Sequence, residues 1–168
     1  MNWYILYKGK AKKNSLRENL DKVGINYFIP TSCVEYYEGG EMKVREDQVL
    51  KNLIFIQTDK DILDVANSTD GLKHPYIDHT THRPAYVSDN EMQRFMLFVK
   101  ARNVNATVLP DLYSRFRTCQ KVRVKAGEFE GAEGRVLRIR GDRKLVISLG
   151  EMAVAISGIH HTLLEPIE

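Results

Sequence analysis

Apolar and polar positions change period several times along the 168 residues. Trp3 to Tyr7 is a short apolar run that reads as a strand. From Lys12 the period becomes helical. Leu16, Leu20 and Val23 recur at i, i+4 and i+7, which gives one apolar face, and Gly24 is a stop. Ile25 to Ile29 reads as a second strand ended by Pro30. Val34 to Tyr37 and Met42 to Arg45 form a hairpin about Gly39-Gly40. Leu50 to Gln57 is continuously apolar and suits the middle of a sheet. Asp59 to Thr69 predicts a short helix with Ile62, Leu63, Val65 and Ala66 buried, and Gly71 ends it. Leu72 to Ile77 is a Pro-interrupted edge strand. Ser88 with Glu91 three residues on is a capping box. It opens a helix to about Lys100 carrying Met92, Phe95, Met96 and Val99.

The rest of the chain reads differently. Residues 102–117 have no clear period and read as a linker, although Val108, Leu109, Leu112, Tyr113 and Phe116 make it less polar than a flexible spacer. Val122/Val124, Val136/Ile139 and Lys144 to Leu149 are strands, punctuated by Gly127, Gly131 and Gly134 and by a turn at 140–143. Short strands so punctuated predict a small barrel over 118–168. The fold class is α+β: an N-terminal α/β sandwich over 1–101, antiparallel sheet with helices, then a linker, then an SH3-like β-barrel. The two units are expected to have separate cores.

Composition narrows the field modestly. Hydrophobic residues at 43% and charged residues at 28% are ordinary for a globular chain. No run approaches the ~20 apolar residues that span a bilayer, no signal peptide is evident, and a cytoplasmic location is expected. Cys33 and Cys119 read as free thiols. Net charge is +3, with 15 basic and 14 acidic side chains up to Pro110 and 10 and 8 beyond it. Any nucleic-acid contact therefore comes from a local stripe rather than a bulk field.

No nucleophile–base arrangement or phosphate loop stands out, so neither an enzyme nor a cofactor is expected. His74, His79 and His82 lack companion ligands at metal spacing and read as surface histidines, as do His160 and His161. Asp59, Asp61 and Asp64 read as helix N-terminal charges. On the first helix Lys12, Ser15, Asn19 and Lys22 share a polar face, with Lys8, Lys10 and Lys13 before or at its start and Arg17 beside it. Cations at a helix N-terminus are disfavoured by the dipole, which hints at an external anion; a plain solvated face is the alternative. Arg135, Arg138, Arg140, Arg143 and Lys144 suit RNA or a protein partner, offset by Glu128, Glu130 and Glu133. Phe129, in the glycine turn, is a core plug or a contact.

Two motifs carry a resemblance. Gly127, Phe129, Gly131 and Gly134 between apolar strands are similar to a KOW motif. Asn2-Trp3-Tyr4-Ile5-Leu6-Tyr7, the basic helix, the strand ending at Pro30, Leu53-Ile54-Phe55-Ile56 and the helix opening at Ser88 resemble the N-terminal domain of the NusG family. The resemblance covers nearly the whole chain, and is strongest to specialised antiterminators of long surface-polysaccharide operons. It implies a transcription elongation factor that binds the clamp helices of the largest RNA polymerase subunit and reduces pausing and termination on a target operon. Lys8, Lys10, Lys12, Ser15, Asn19 and Lys22 would then face the non-template DNA strand. The polymerase contact would use Ile5, Tyr7, Leu53, Phe55, Met92, Phe95 and Met96, because three short helices cannot cover both faces of a sheet and some apolar surface stays exposed. On this reading Phe55→Asp removes the contact without unfolding the protein.

The KOW module would bind a small-subunit ribosomal protein or Rho. Lys51-Asn52-Leu53 stands where the family usually has Pro and an aromatic, and His79-Thr80-Thr81 lies away from the place where one branch uses such a triplet, so its role is not carried over. The alternatives are a housekeeping NusG-type factor and a KOW-containing ribosome-associated RNA-binding protein.

Overall fold

The computed structural model describes residues 1–9, 13–100, 106–109, 119–139, 141–150, 152–157 and 159–167, with only the backbone given for Lys13 and Asn14. The centre of the first sheet is β1 (Asn2–Lys8). It pairs antiparallel with β5 (Leu53–Thr58), from Asn2↔Thr58 to Tyr7↔Leu53. Its other edge is shared by β6 (Leu72–Pro75) and β7 (Tyr86–Val87), and β2 (Asn26–Phe28) flanks β5. A separate arm, β3 (Thr31–Glu38) and β4 (Glu41–Gln48), turns at Gly39 and Gly40 with φ 62 and 80, the two positive values that a tight two-residue hairpin requires.

Side-chain alternation along β1 divides the core. Leu6 joins Ile54 and Ile56 under α1 (Lys13–Val23) and α2 (Ile62–Ser68), where Leu16, Leu20, Ile62 and Val65 complete the layer. Trp3 and Ile5 face the other way, with Phe55, toward α3 (Asp89–Lys100). Two expected core positions are exposed, Val23 at 52% and Leu63 at 49%. Val23 is the last residue before Gly24, whose φ of 68 turns the chain out of the helix. Leu63 sits one residue after Ile62, so it lies about 100° around the axis from the Ile62/Val65/Ala66 face.

The C-terminal strands β9 (Lys121–Val124), β10 (Glu133–Ile139), β11 (Asp142–Leu149), β12 (Met152–Ile156) and β13 (Leu164–Pro166) form an antiparallel sheet. Its order is β13-β9-β10-β11-β12-β8. The last of these, β8 (Ala106–Leu109), lies inside the stretch read as a linker. Its small apolar side chains explain the difference: Ala106 and Val108 pack on the main core while Leu109 packs on the opposite face. The remainder of 102–117 lies outside the described residues. Among the described residues the end strands β8 and β13 are not paired, so the ladder is an open path rather than a ring.

The glycine turn works in two ways. Gly127 and Gly131 have φ of 92 and 84, whereas Gly134 is a packing glycine: a Cβ there would lie 2.7 Å from the Val146 carbonyl oxygen.

The two sheets do not keep separate cores. One buried cluster runs from Trp3, Ile5 and Phe55 through Met92, Phe95 and Phe98 to Leu145, Ile147 and Val154. Where the units meet, Gly150 has φ 60, and a Cβ on it would clash with the Tyr86 carbonyl oxygen. That closeness generates a test. Gly131→Ala, with a similar φ and nothing within 4 Å of its Cβ, should cost roughly 1 kcal/mol of backbone strain alone. Gly150→Ala should cost more in urea unfolding and should raise binding of a hydrophobic dye, because the sheet must lift off β7. Equal behaviour of the two variants would show that this contact does not hold the units together.

Candidate functional site

The site is organised by α3, the helix between the two sheets. Its start is fixed by a reciprocal cap: the Ser88 N–H and Oγ donate to Glu91 Oε2 at 3.1 and 2.8 Å, and the Glu91 N–H donates to Ser88 Oγ at 3.4 Å. Glu91 does a second job, since its Oε1 accepts from Ser148 Oγ of β11 at 2.9 Å. Asp89 beside it accepts from Trp3 Nε1 at 2.8 Å and Gln57 Nε2 at 3.0 Å, which pins the helix to the first sheet. Helical spacing then aims its aromatics both ways. Phe95 packs on Phe55 and Phe28, with ring centroids 5.5 and 6.3 Å away, and Phe98 packs on Phe129 of the C-terminal unit at 5.0 Å. Phe129 is thus a contact between units.

The apolar residues singled out in the sequence come together here, but not at a free surface. Ile5, Leu53, Phe55, Met92 and Phe95 are buried, and only Tyr7 and Met96 are half-buried. The surface expected to stay open is covered by α3 and the C-terminal sheet. Phe55→Asp is therefore expected to unfold the N-terminal unit, since it buries a carboxylate with no partner. Tyr7 begins a line of rings along the open rim: His74 at 5.0 Å, Tyr76 at 6.3 Å, and His79 at 6.2 Å from Tyr76.

The polar residues are more scattered. Lys10 and Lys12 lie outside the described residues, and so does Arg140. Ser15 and Lys22 are exposed on α1, and Lys8 is half-buried at the end of β1. Asn19 turns aside and donates to the Asp70 carbonyl at 3.4 Å, tying α1 to the turn before β6. Arg17 does not extend the stripe. It reaches Glu46 on β4 at 3.5 Å, and its Nε is buried without a hydrogen-bond partner among the described residues.

Residues 1–96 match the family model of NusG, described as transcription termination factor nusG. The chain belongs to the NusG family. Members are transcription elongation or termination factors, not enzymes, and generally bind RNA polymerase. No curated protein matches the chain. The matched segment holds the first sheet, α1, α2 and most of α3; the C-terminal sheet lies beyond it.

Several local features of this NusG-family chain have structural explanations. In Lys51-Asn52-Leu53, Asn52 takes φ 63, a left-handed value that Asn tolerates, and Leu53 is buried where an aromatic was expected. In His79-Thr80-Thr81, the Asp78 carboxylate accepts from the Thr80 N–H at 2.7 Å, the Thr81 N–H at 3.3 Å and the Thr81 hydroxyl at 3.0 Å. The triplet is a side-chain-closed turn, and the Thr80 N–H is the first of the bonds that hold the Asp78 carboxyl below its ordinary pKa. Asp61, one of the helix-start acids, caps α2 by accepting from the Leu63 and Asp64 N–H groups at 2.8 and 3.3 Å. No helix among the described residues is long and apolar enough to cross a membrane.

Sequence reasoning missed Asp89, Gln57, Ser148 and Gly150. Only Gly150 carried a signal, as a turn glycine after an apolar strand, and nothing in the sequence says what the turn touches.

Electrostatics adds one measurable consequence. Glu133 accepts from Arg123 Nη2 at 2.8 Å, with Lys121 at 3.9 Å. The Arg123 hydrogen bond, ahead of the charges of Arg123, Lys121 and Arg94, holds the Glu133 carboxyl below its ordinary value of 4.5, against a smaller opposing effect of burial. A carboxyl with a depressed folded-state pKa adds stability above its ordinary value, and that stability is lost as pH falls through the lower folded value. Glu133→Gln should therefore be less stable than wild type near neutral pH and converge on it in acid. Urea midpoints that stay parallel from about pH 2 to 7 would show that the pair contributes nothing.

Proposed function

We propose that the chain is a specialised NusG-type factor that binds the clamp helices of the largest RNA polymerase subunit and suppresses pausing and termination on a target operon. The observation that carries this reading is the family match over the unit that holds the apolar face of β1, β5 and α3. The half-buried rim of Tyr7 and Met96 is the part of that face nearest to solvent, and it is where a partner would first engage. Full engagement requires the C-terminal sheet to leave α3. Polymerase binding and docking then compete for one apolar surface, and the partner selects the opened state. Binding alone suffices, with no chemical step.

The polar side of α1, with Lys8, Lys10, Lys12, Ser15 and Lys22, would face the non-template strand, placing cations on phosphates. Asn19 would join only by giving up its bond to Asp70. The C-terminal sheet is read as the KOW module, with a small-subunit ribosomal protein or Rho as its partner. The departure at Lys51-Asn52-Leu53 favours a specialised factor over a housekeeping one.

Two experiments test this. Tyr7→Asp with Met96→Asp should cut capture of purified RNA polymerase at least tenfold without loss of fold by circular dichroism, and Gly150→Ala should raise it. Capture unchanged in both variants would sink the assignment of this face. Lys10→Ala with Lys22→Ala should weaken recruitment at a leader sequence. It should also lower the slope of log affinity against log salt by about 1.4, at ~0.7 per lost phosphate contact on a single strand. An unchanged slope would leave the stripe a solvated face.

A further inference from the structure

The basic cluster of the C-terminal unit is divided by the fold into used and unused cations. Arg123 is committed to Glu133, and Arg135 donates to the Cys119 carbonyl. Arg138 and Arg143 are different. They face each other directly across β10 and β11, both are exposed, and neither has an ion pair or hydrogen bond to a described residue. Like charges directly opposite on a sheet are destabilising, and among the described residues no carboxylate forms an ion pair with either of them. Asp142, next to Arg143 on the strand, lines the same concavity as the two arginines but forms no ion pair with either.

Beside this pair the chain presents two rings in a fixed geometry. The His160 and His161 rings lie with centroids 4.4 Å apart, tilted 34° to each other, and His160 Nδ1 lies 2.9 Å from the Thr162 hydroxyl. Both rings are exposed. Arg138, Arg143 and His161 line two neighbouring concavities of about 510 and 370 Å³. The floor of the smaller one is apolar, from Val122, Val136 and Leu164. Two guanidinium groups with no ion pair among the described residues, beside adjacent planar rings and an apolar floor, match alternating phosphate and base. An acidic peptide would use the charges but leave the rings idle.

We infer that this end of the C-terminal sheet is a binding site for single-stranded nucleic acid. Arg138 and Arg143 hold phosphates, and a base stacks on the His160–His161 rings. The site does not depend on the polymerase reading. It also stays open when the units are docked: Arg143 and Gly150 are seven residues apart along β11, roughly 23 Å at ~3.3 Å per residue.

The test is fluorescence anisotropy of the full chain with labelled oligoadenylate and oligodeoxyadenylate, with polyglutamate as a third probe. Arg138→Ala with Arg143→Ala should weaken nucleic-acid binding at least tenfold at low salt and lower the salt slope by about 1.4. Its thermal midpoint should be equal to or above that of wild type, because a repulsive pair is removed. Arg138→Lys with Arg143→Lys should keep the slope. His161→Ala should weaken binding severalfold at an unchanged slope, and His161→Phe should restore it. Tighter binding of one oligonucleotide names RNA or DNA as the source. The inference is overturned if the double Ala variant binds like wild type, or if polyglutamate binds at least as tightly as either oligonucleotide.

Discussion

Burial of α3 between two sheets is the constraint on which the rest depends. A helix of twelve residues carries apolar groups in two directions, Phe95 toward Phe55 and Phe98 toward Phe129. Burying a side chain of this size contributes about 1.5–3 kcal/mol relative to leaving it in water. The N-terminal sheet satisfies one direction only, so without a second cover α3 would present Phe98 to solvent. The C-terminal sheet supplies that cover. The contact is therefore a property of the N-terminal unit's incomplete layering as much as of the C-terminal one.

Apolar burial does not by itself choose how two surfaces meet. The choice is made by contacts with little tolerance. Glu91 divides its two oxygens between the α3 cap and Ser148, so moving the sheet breaks a hydrogen bond at the very residue that starts the helix. Gly150 passes so close to the Tyr86 carbonyl that no side chain is accommodated there. Together these fix the position of β11 over β7 and the first turn of α3. Neither would survive a sliding sheet, and both would be lost at once on release, which makes the contact two-state rather than graded.

The elements were legible in the sequence wherever local chemistry decides them. The capping box at Ser88 and Glu91, the Gly39-Gly40 hairpin and the apolar β5 need no tertiary information, and each formed, although β5 runs Leu53–Thr58 rather than from Leu50. Boundaries and faces failed where one position decides. Val23 and Leu63 fit the apolar period but fall at a helix end and beside a narrow buried face. β8 was hidden because four residues with mixed Ala, Thr, Val and Leu have no strand signal until β12 offers its edge. The apolar residues of the candidate face lie together because periodicity reports burial. What they are buried against is a long-range fact that periodicity does not contain, and so the docking of the C-terminal sheet could not be read.

The charges divide along the same line. A count of basic residues in the C-terminal half cannot separate Arg123, neutralised across the sheet by Glu133, from Arg138, which meets Arg143 instead. Strand register makes that distinction: shifting the pairing of β10 and β11 by one residue would turn Arg138 or Arg143 to the other face. Register therefore decides whether a nearly neutral chain has a local cationic site at all. It also places that site at the hairpin end of β11, while Ser148 and Gly150, at the other end, hold the N-terminal unit. One strand thus carries two surfaces of opposite character. The apolar contact at one end can open or close without altering the charge pair at the other, so a ligand at the cationic end needs no release of the docked sheet.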